Sequence, residues 1–455
     1  MAKPRIFAVA GLGAGIALLL LAWGQHDRIA AETQDVYKDL ETFSNVLSII
    51  QRSYVEEVDT REVVDGAIKG MLGALDPHSS FMTPDDFKEL QMETKGRFTG
   101  IGIEITMKDG ILTVVSPIEG TPAFKKGLKA GDRIMKIEKD FTKDMSLTEA
   151  VKRLRGPKGT EVTISVHREG WTELKEITIV RDEIPIHSVR SRNLEPGYLY
   201  VRVSNFQSET TRDLRKAVDT YAEKEAVQGM ILDLRNNPGG LLDQAVKVSD
   251  LFLEDGLIVS TKGRIKDQNM TFKAHRGGDE YTFPMVVLVN EGTASASEIV
   301  AGALRDHKRA LVLGAQTFGK GSVQTIIPMD DGSGLRLTTA RYYTPNGTSI
   351  QAKGVVPDII VPSTITYAKL DADKEKQREA WLVREKDLRR HIANGQGEED
   401  EESAGEEPAV EEPNGDNDNS GEDQDAEFRK QLEKDPQLNT ALLMLKGLHV
   451  LGNNP

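Results

Sequence analysis

The stretch PMVVLVNEGTASASEIVAGAL, residues 284–304, decides the fold class. Residues 284–290 are a near-continuous apolar run, the pattern of a central strand covered on both faces. A short Glu-Gly-Thr-Ala loop follows, and from about Ser295 apolar residues recur at helical spacing. The same order recurs upstream: QGMILDL (228–234), the tight turn Arg235-Asn236-Asn237-Pro238-Gly239-Gly240, then a helix from Leu241 to Phe252. A strand at 198–206 and a polar helix at 211–225 precede it. Repeated strand, turn and helix predict an α/β core.

The loop also raises a chemical expectation. It puts a serine hydroxyl at a helix N-terminus, where unpaired backbone N–H groups can hold a developing oxyanion. Sequence alone does not separate Ser295 from Ser297, and either could simply cap the helix. A reacting serine needs a base. None of the eight histidines lies in a motif built for a triad. His307 falls about three turns down the same helix, roughly 18 Å away at 1.5 Å per residue. Lys320, in GAQTFGKGSVQTIIP, is the better candidate, provided burial brings it well below its ordinary value of about 10.4. Gln324 lies an even number of residues on, so an extended chain points both side chains to one face and Gln324 can fix the lysine.

Outward from this core the pattern changes. Residues 97–182 read as strands around one longer helix, with a hairpin signal at Asp109-Gly110 and a capped helix start at Ser146, Thr148 and Glu149. Thr99-Gly100-Ile101-Gly102 is similar to the carboxylate-binding loop of PDZ domains, and Gly127-Leu128-Lys129-Ala130-Gly131-Asp132-Arg133-Ile134 to a second stretch of bacterial PDZ domains, with Gly127 in place of the usual Ala. In such a loop successive N–H groups converge on a C-terminal carboxylate, and the ligand adds as a strand beside Ile103 and Ile105. Two amphipathic helices, 33–54 and 60–75, the second with Thr60 as N-cap, come before this module.

The chain has 455 residues, a prior of about three domains. With 38% apolar residues and a mean hydropathy of -0.40 it can pack cores but is not a multi-span membrane protein. Residues 398–427 hold 15 acids and no Lys or Arg, and read as a disordered linker. Subtracting those charges from the net -14 leaves the remainder at +1, with no basic field for nucleic acid. Cysteine is absent, which excludes cysteine catalysis, thiolate metal sites and disulfides. Lys3 and Arg5 precede the apolar stretch 6–23, with small residues before a cleavage point after Gly24. That predicts an export signal or an N-terminal membrane anchor, with the bulk of the chain outside the cytoplasm.

The whole pattern resembles the carboxyl-terminal processing peptidases, S41-family Ser–Lys proteases with an embedded PDZ domain. ILDLRNNPGG, NEGTASASEIVAGAL, GKGSVQ and RYYTPNGTSIQAKGVVPDI carry the resemblance, which covers roughly residues 34–365. It implies Ser295 as nucleophile, Lys320 as general base 25 positions on, Gln324 orienting the lysine, and an oxyanion hole from the N–H groups of Ala296 and Gly239, with Gly240 open as the second donor. Asp306 matches an acid of some members and is given little weight.

The expected architecture is a multidomain α+β and α/β chain: an α/β protease core with an inserted PDZ domain and helical N- and C-terminal extensions. The boundaries are 1–24 signal or anchor, 32–96 helical packing or dimerisation region, 97–182 PDZ, 183–370 protease core, 371–395 helix, 396–427 acidic linker and 428–455 C-terminal helix. That last helix is read as docking on a second chain, with docking on its own body the equal alternative. The expected function is a serine endopeptidase that recognises free apolar C-termini of exported proteins in the periplasm or at the outer face of the inner membrane. It would use no cofactor or metal, bind no nucleic acid and form a homo-oligomer; the need for an adaptor protein stays open. Rival readings are a catalytically inactive PDZ scaffold and a histidine-based serine esterase, the latter disfavoured because no G-x-S-x-G elbow is present.

Overall fold

The computed structural model describes residues 37–108, 110–277, 280–362, 383–394 and 434–452. The export segment and the acidic linker lie outside these residues. The chain divides into two compact units, Met1–Met71 and Leu72–Pro455.

In the first unit residues 37–53 form helix α1, which exposes Tyr37, Leu40, Phe43, Val46 and Ile49. Helix α2 (Thr60–Gly73) starts at Thr60 rather than after it. Its cap is Asp59, whose Oδ1 accepts the Arg61 N–H at 2.7 Å.

In the second unit β1 (Ser80–Met82) and α3 (Pro84–Lys95) lead into the inserted module. Thr83 and Asp86 close a capping box at the start of α3, and Gly96 ends the helix in the left-handed region. The module contains β2 (Arg97–Gly100), β3 (Ile103–Lys108), β4 (Ile111–Pro117), α4 (Pro122–Lys125), β5 (Arg133–Ile137), β6 (Asp140–Phe141), α5 (Leu147–Leu154), β7 (Glu161–His167), β8 (Lys175–Val180) and β9 (Asp182–Pro185). The strand order β3-β4-β5-β7-β8 leaves β3 at an edge beside α5, over a core of its own. Ser146 caps α5. The entering strand β2 pairs antiparallel with the leaving strand β9, so the module is clipped at its base.

The protease core follows with β10 (Val189–Glu195), β11 (Tyr198–Val203), α6 (Thr210–Ala222), β12 (Gly229–Asp233), α7 (Leu242–Asp250), β13 (Leu257–Gly263), β14 (Thr271–Lys273), β15 (Met285–Val289), α8 (Ala296–Asp306), β16 (Leu311–Gly314), β17 (Ser322–Pro328), β18 (Gly334–Tyr343) and β19 (Ile359–Ile360). Six strands form one sheet in the order β10-β11-β12-β15-β16-β19, with every pairing parallel except β10 to β11. Strand side chains alternate between faces. On one face Met230, Leu232, Val287 and Val289 meet α6, α7 and α8. On the other, Ile231, Val286 and Leu288 need a second cover.

Helix α9 (Pro436–Gly452) provides it, laying Leu438, Ala441, Leu442 and Leu445 on those side chains. Arg235 secures the start of this helix, pairing with Asp435 at 2.8 Å and donating to Gln437 at 2.9 Å. The C-terminal helix therefore docks on its own body, the alternative to docking on a second chain. A second correction concerns the helix expected over 371–395. Its described part, 383–394, is an irregular strap with a single 3-10 turn at Glu385–Asp387. Burial of Glu385 against the core, rather than helical periodicity, fixes that segment.

Because Leu445 is fully buried in the second core, Leu445→Ala is expected to cost about 2–5 kcal/mol, read as a lower urea midpoint of unfolding.

Candidate active site

Two turns leave the carboxyl ends of the adjacent parallel strands β12 and β15, the edge where open α/β sheets bind ligands. The first is 234–240, the second 290–295. Hydrogen bonds lace them together. Asn290 and Asn236 exchange bonds at 2.7 and 2.8 Å, and Thr293 Oγ1 donates to the Leu234 carbonyl. The Ala294 N–H donates to the Asn237 carbonyl. Asn237 Nδ2 donates in turn to the Val203 carbonyl, on the neighbouring strand.

This lacing separates the two serines. Ser297 is fully buried, and its hydroxyl donates to the carbonyls of Asn237 at 2.7 Å and Ala294 at 2.6 Å. It is a tie between the turns. Ser295 is partly exposed, stands just before α8, and has φ 55° and ψ -115°. A non-glycine residue there stores roughly 1–3 kcal/mol of strain. Its hydroxyl makes no hydrogen bond among the described residues.

Gly239 crosses directly beneath. At φ 106° it adopts a conformation open to glycine, and an added Cβ would lie 2.8 Å from Ser295 Cβ and 2.9 Å from the Ala296 nitrogen. The Ala296 N–H, first in α8, has no acceptor among the described residues and is free for an anion. The Gly239 N–H is instead turned onto Asn237 Oδ1 at 2.9 Å. The next amide, that of Gly240, has no acceptor among the described residues. In this arrangement Ala296 and Gly240 therefore offer the free donors.

Lys320 is part-buried in the loop before β17. Burial lowers it from its ordinary value; the charges of Glu385, Glu298 and Asp76 oppose that shift, and Arg336 adds to it. Its backbone is fixed by Glu298, in the first turn of α8. One oxygen of this fully buried carboxyl accepts the N–H groups of Ser295 (2.7 Å) and Lys320 (3.0 Å). The other accepts the Thr317 hydroxyl (2.5 Å) and the Gly319 N–H (2.8 Å). Burial pushes the Glu298 carboxyl up to about 7, against these four donors. Gln324 donates to Ser322 Oγ at 2.9 Å and makes no bond to Lys320 among the described residues; the pairing of β17 with β18 shifts register between Val323 and Gln324. Glu298 is thus a tie between two loops.

Other expected residues fall elsewhere. Asp306 ends α8, ten residues from Ala296 and about 15 Å along the axis, and accepts the Asn346 N–H. His307 binds the Leu257 carbonyl and His275 pairs with Asp250. His78, which no motif marks, holds buried Glu385 at 2.8 Å.

In the inserted module a cavity of about 220 Å³ opens between β3 and α5, lined by Phe98, Ile101, Ile103, Ile105, Leu154 and neighbouring residues that include Gly100 and Gly102. The amides of Ile101 and Gly102 have no acceptor among the described residues. Gly102 has φ 80°, and a Cβ there would stand 2.3 Å from Thr121 Cβ. Thr99 belongs to β2, opposite Glu183, and does not line the cavity.

The comparisons agree with this anatomy. Residues 197–361 match the description Peptidase family S41, residues 99–179 match PDZ domain, and residues 21–86 match Activating protease CtpB N-terminal domain. The chain is 44% identical to a carboxy-terminal-processing protease of Bartonella bacilliformis over 87% of its own length and 89% of that protein. The chain belongs to peptidase family S41. It is a carboxy-terminal processing protease, a serine-type peptidase with a PDZ domain. The carboxy-terminal processing protease CtpA of Bacillus subtilis is 39% identical over 71% of this chain and 70% of its own. Among solved structures, the photosystem II D1 C-terminal processing protease is 32% identical, covers 70% of this chain and 92% of its own, and has a TM-score of 0.42.

Two outcomes are expected of this protease. Ser297→Ala removes the hydroxyl that donates to the Asn237 and Ala294 carbonyls, so its melting temperature should fall by about 2–4 °C while Ser295 still reacts with a covalent serine probe. In Glu298→Gln an amide cannot accept all four donors, and kcat should fall about 100-fold. The stability difference between the two proteins should also depend on pH. A carboxyl raised from its ordinary 4.5 to about 7 stabilises the fold below 4.5 and loses that contribution as pH rises through 7. Melting curves from pH 4.5 to 8 should therefore show the wild type losing ground to Glu298→Gln as pH rises.

Proposed function

We propose that this S41 peptidase hydrolyses peptide bonds through a Ser295–Lys320 dyad. The observation that carries the reading is the common acceptor of their backbones. One buried oxygen of Glu298 takes the N–H of each, so the strained serine and the desolvated lysine are held by the same atom. Neutral Lys320 takes the Ser295 proton as Oγ attacks the substrate carbonyl, then returns it to the leaving amine as the acyl-enzyme forms. The free amides of Ala296 and Gly240 receive the oxyanion. Gly239 takes that role only if its N–H turns away from Asn237. Gln324, which the sequence offers as the residue orienting Lys320, donates to Ser322 in this arrangement. Ser297 is left out of the chemistry by its two structural bonds.

The PDZ cavity supports recognition of a free, apolar C-terminus. Aliphatic side chains line it, unpaired amides of Ile101 and Gly102 stand at its end, and the unpaired edge of β3 accepts an added strand. Substrates are then unfolded or tailed proteins met outside the cytoplasm, with the N-terminal segment as signal or anchor. Arg155 connects recognition to the core: it borders the cavity and pairs with Glu89 of α3 at 2.5 Å. The exposed apolar face of α1 supports a homo-oligomer.

The test is cleavage of an unstructured protein ending in an apolar residue, with a free or an amidated C-terminus. Ser295→Ala and Lys320→Ala should abolish turnover, and Ser297→Ala should retain it. Full turnover by Lys320→Ala would return the search for a base to the histidines. Gly102→Val should raise KM for the free C-terminus about 10-fold or more and leave an untailed short peptide unaffected. Equal loss on both substrates would sink the recognition role.

A further inference from the structure

A cluster with no part in the reading above lies behind Lys320. Glu385 is fully buried although it belongs to the irregular strap 383–394. His78 Nε2 meets its two oxygens at 2.9 and 2.8 Å. Gln351 Nε2 donates to Oε1 at 2.9 Å, and Gln351 Oε1 accepts the N–H of Gly321, the residue after Lys320, at 3.0 Å. The backbone N–H of Glu385 donates to the Phe318 carbonyl at 3.2 Å. Glu385 therefore grips the lysine loop on both sides of Lys320. A buried carboxyl is costly unless its oxygens are bonded, and His78 and Gln351 between them reach both.

We propose that Glu385, resting on the assignment of Lys320 as base, is a positioning residue that fixes the lysine loop and supplies the negative charge facing its ammonium. The charged groups facing Lys320 are Glu385, Glu298 and Asp76, opposed by Arg336. Glu298 is committed to four donors within the loops. Asp76 accepts from Ser79, from the His78 N–H and from the Thr338 hydroxyl. Glu385 is held from outside the catalytic loops, by His78 of the segment after α2 and by the strap itself. The proton that Lys320 takes from the serine then appears beside a charge already in place. That favours the protonated lysine of the intermediate over a lysine isolated in the same burial.

The experiment is the pH profile of kcat/KM for full-length wild type, Glu385→Gln, Gln351→Leu and Lys320→Ala on one short peptide, with active sites counted by a covalent serine probe. Glu385→Gln removes the charge, so neutral lysine is favoured and the acid limb should move down by about 0.5–1 pH unit. Gln351→Leu leaves the charge but cuts the link to Gly321; its kcat should fall about 10-fold with KM and the acid limb unchanged. An unmoved limb in folded Glu385→Gln beside an inactive Lys320→Ala overturns this proposal and leaves the dyad standing. Full activity in Lys320→Ala overturns both. Should Glu385→Gln fail to fold, Gln351→Leu decides alone, and wild-type kcat in that variant overturns the proposal.

Discussion

A single carboxyl group organises the site. Glu298 has no exposed surface, yet each of its oxygens accepts two donors, drawn from α8 and from the loop before β17. Those two segments are distant in the chain, and the Phe318 N–H, which donates to the Thr293 carbonyl, is a second polar tie between them. Apolar packing fills volume but does not set a register between backbones to a fraction of an ångström. Directional bonds to one small group do, at the cost of keeping a titratable side chain in the interior.

The rest of the core serves that junction. Parallel strands β12 and β15 end together, so their turns emerge side by side and can be laced by Asn236, Asn237, Asn290 and Thr293. The buried runs of those strands require cover on two faces. Helices α6 to α8 supply one, and α9 supplies the other from the far end of the chain. Arg235 joins both demands, since it opens the first turn, pairs with Asp233 beneath it and receives the start of α9.

Much of this was legible in the sequence. The strand-turn-helix units and the PDZ module follow from apolar runs, punctuation and resemblance, and Ser295, Lys320 and Gly239 stand as candidates on the same grounds. Contacts between distant segments were not legible. Nothing local distinguishes Ser297 from Ser295; the difference is the Asn237 carbonyl, reached only when the turns meet. Parity predicts one face for Lys320 and Gln324 but could not show that Gln324 bonds Ser322 instead. Glu385 sits in a charged stretch that reads as a solvated helix, and its burial depends on His78 and Gln351, remote in the chain. The outcome for α9 had the same origin, because an apolar helix face shows that it needs cover and not whose.

The pairing of β2 with β9 has a consequence beyond local stability. The PDZ module enters and leaves the protease at one place, through two strands bonded to each other. Its core is separate from that of the catalytic sheet. Such a graft behaves as a cartridge: a different module with the same paired stem can replace it without disturbing the catalytic loops. The protease core and the module are thus separable in design, since one continuous segment carries the whole of the module.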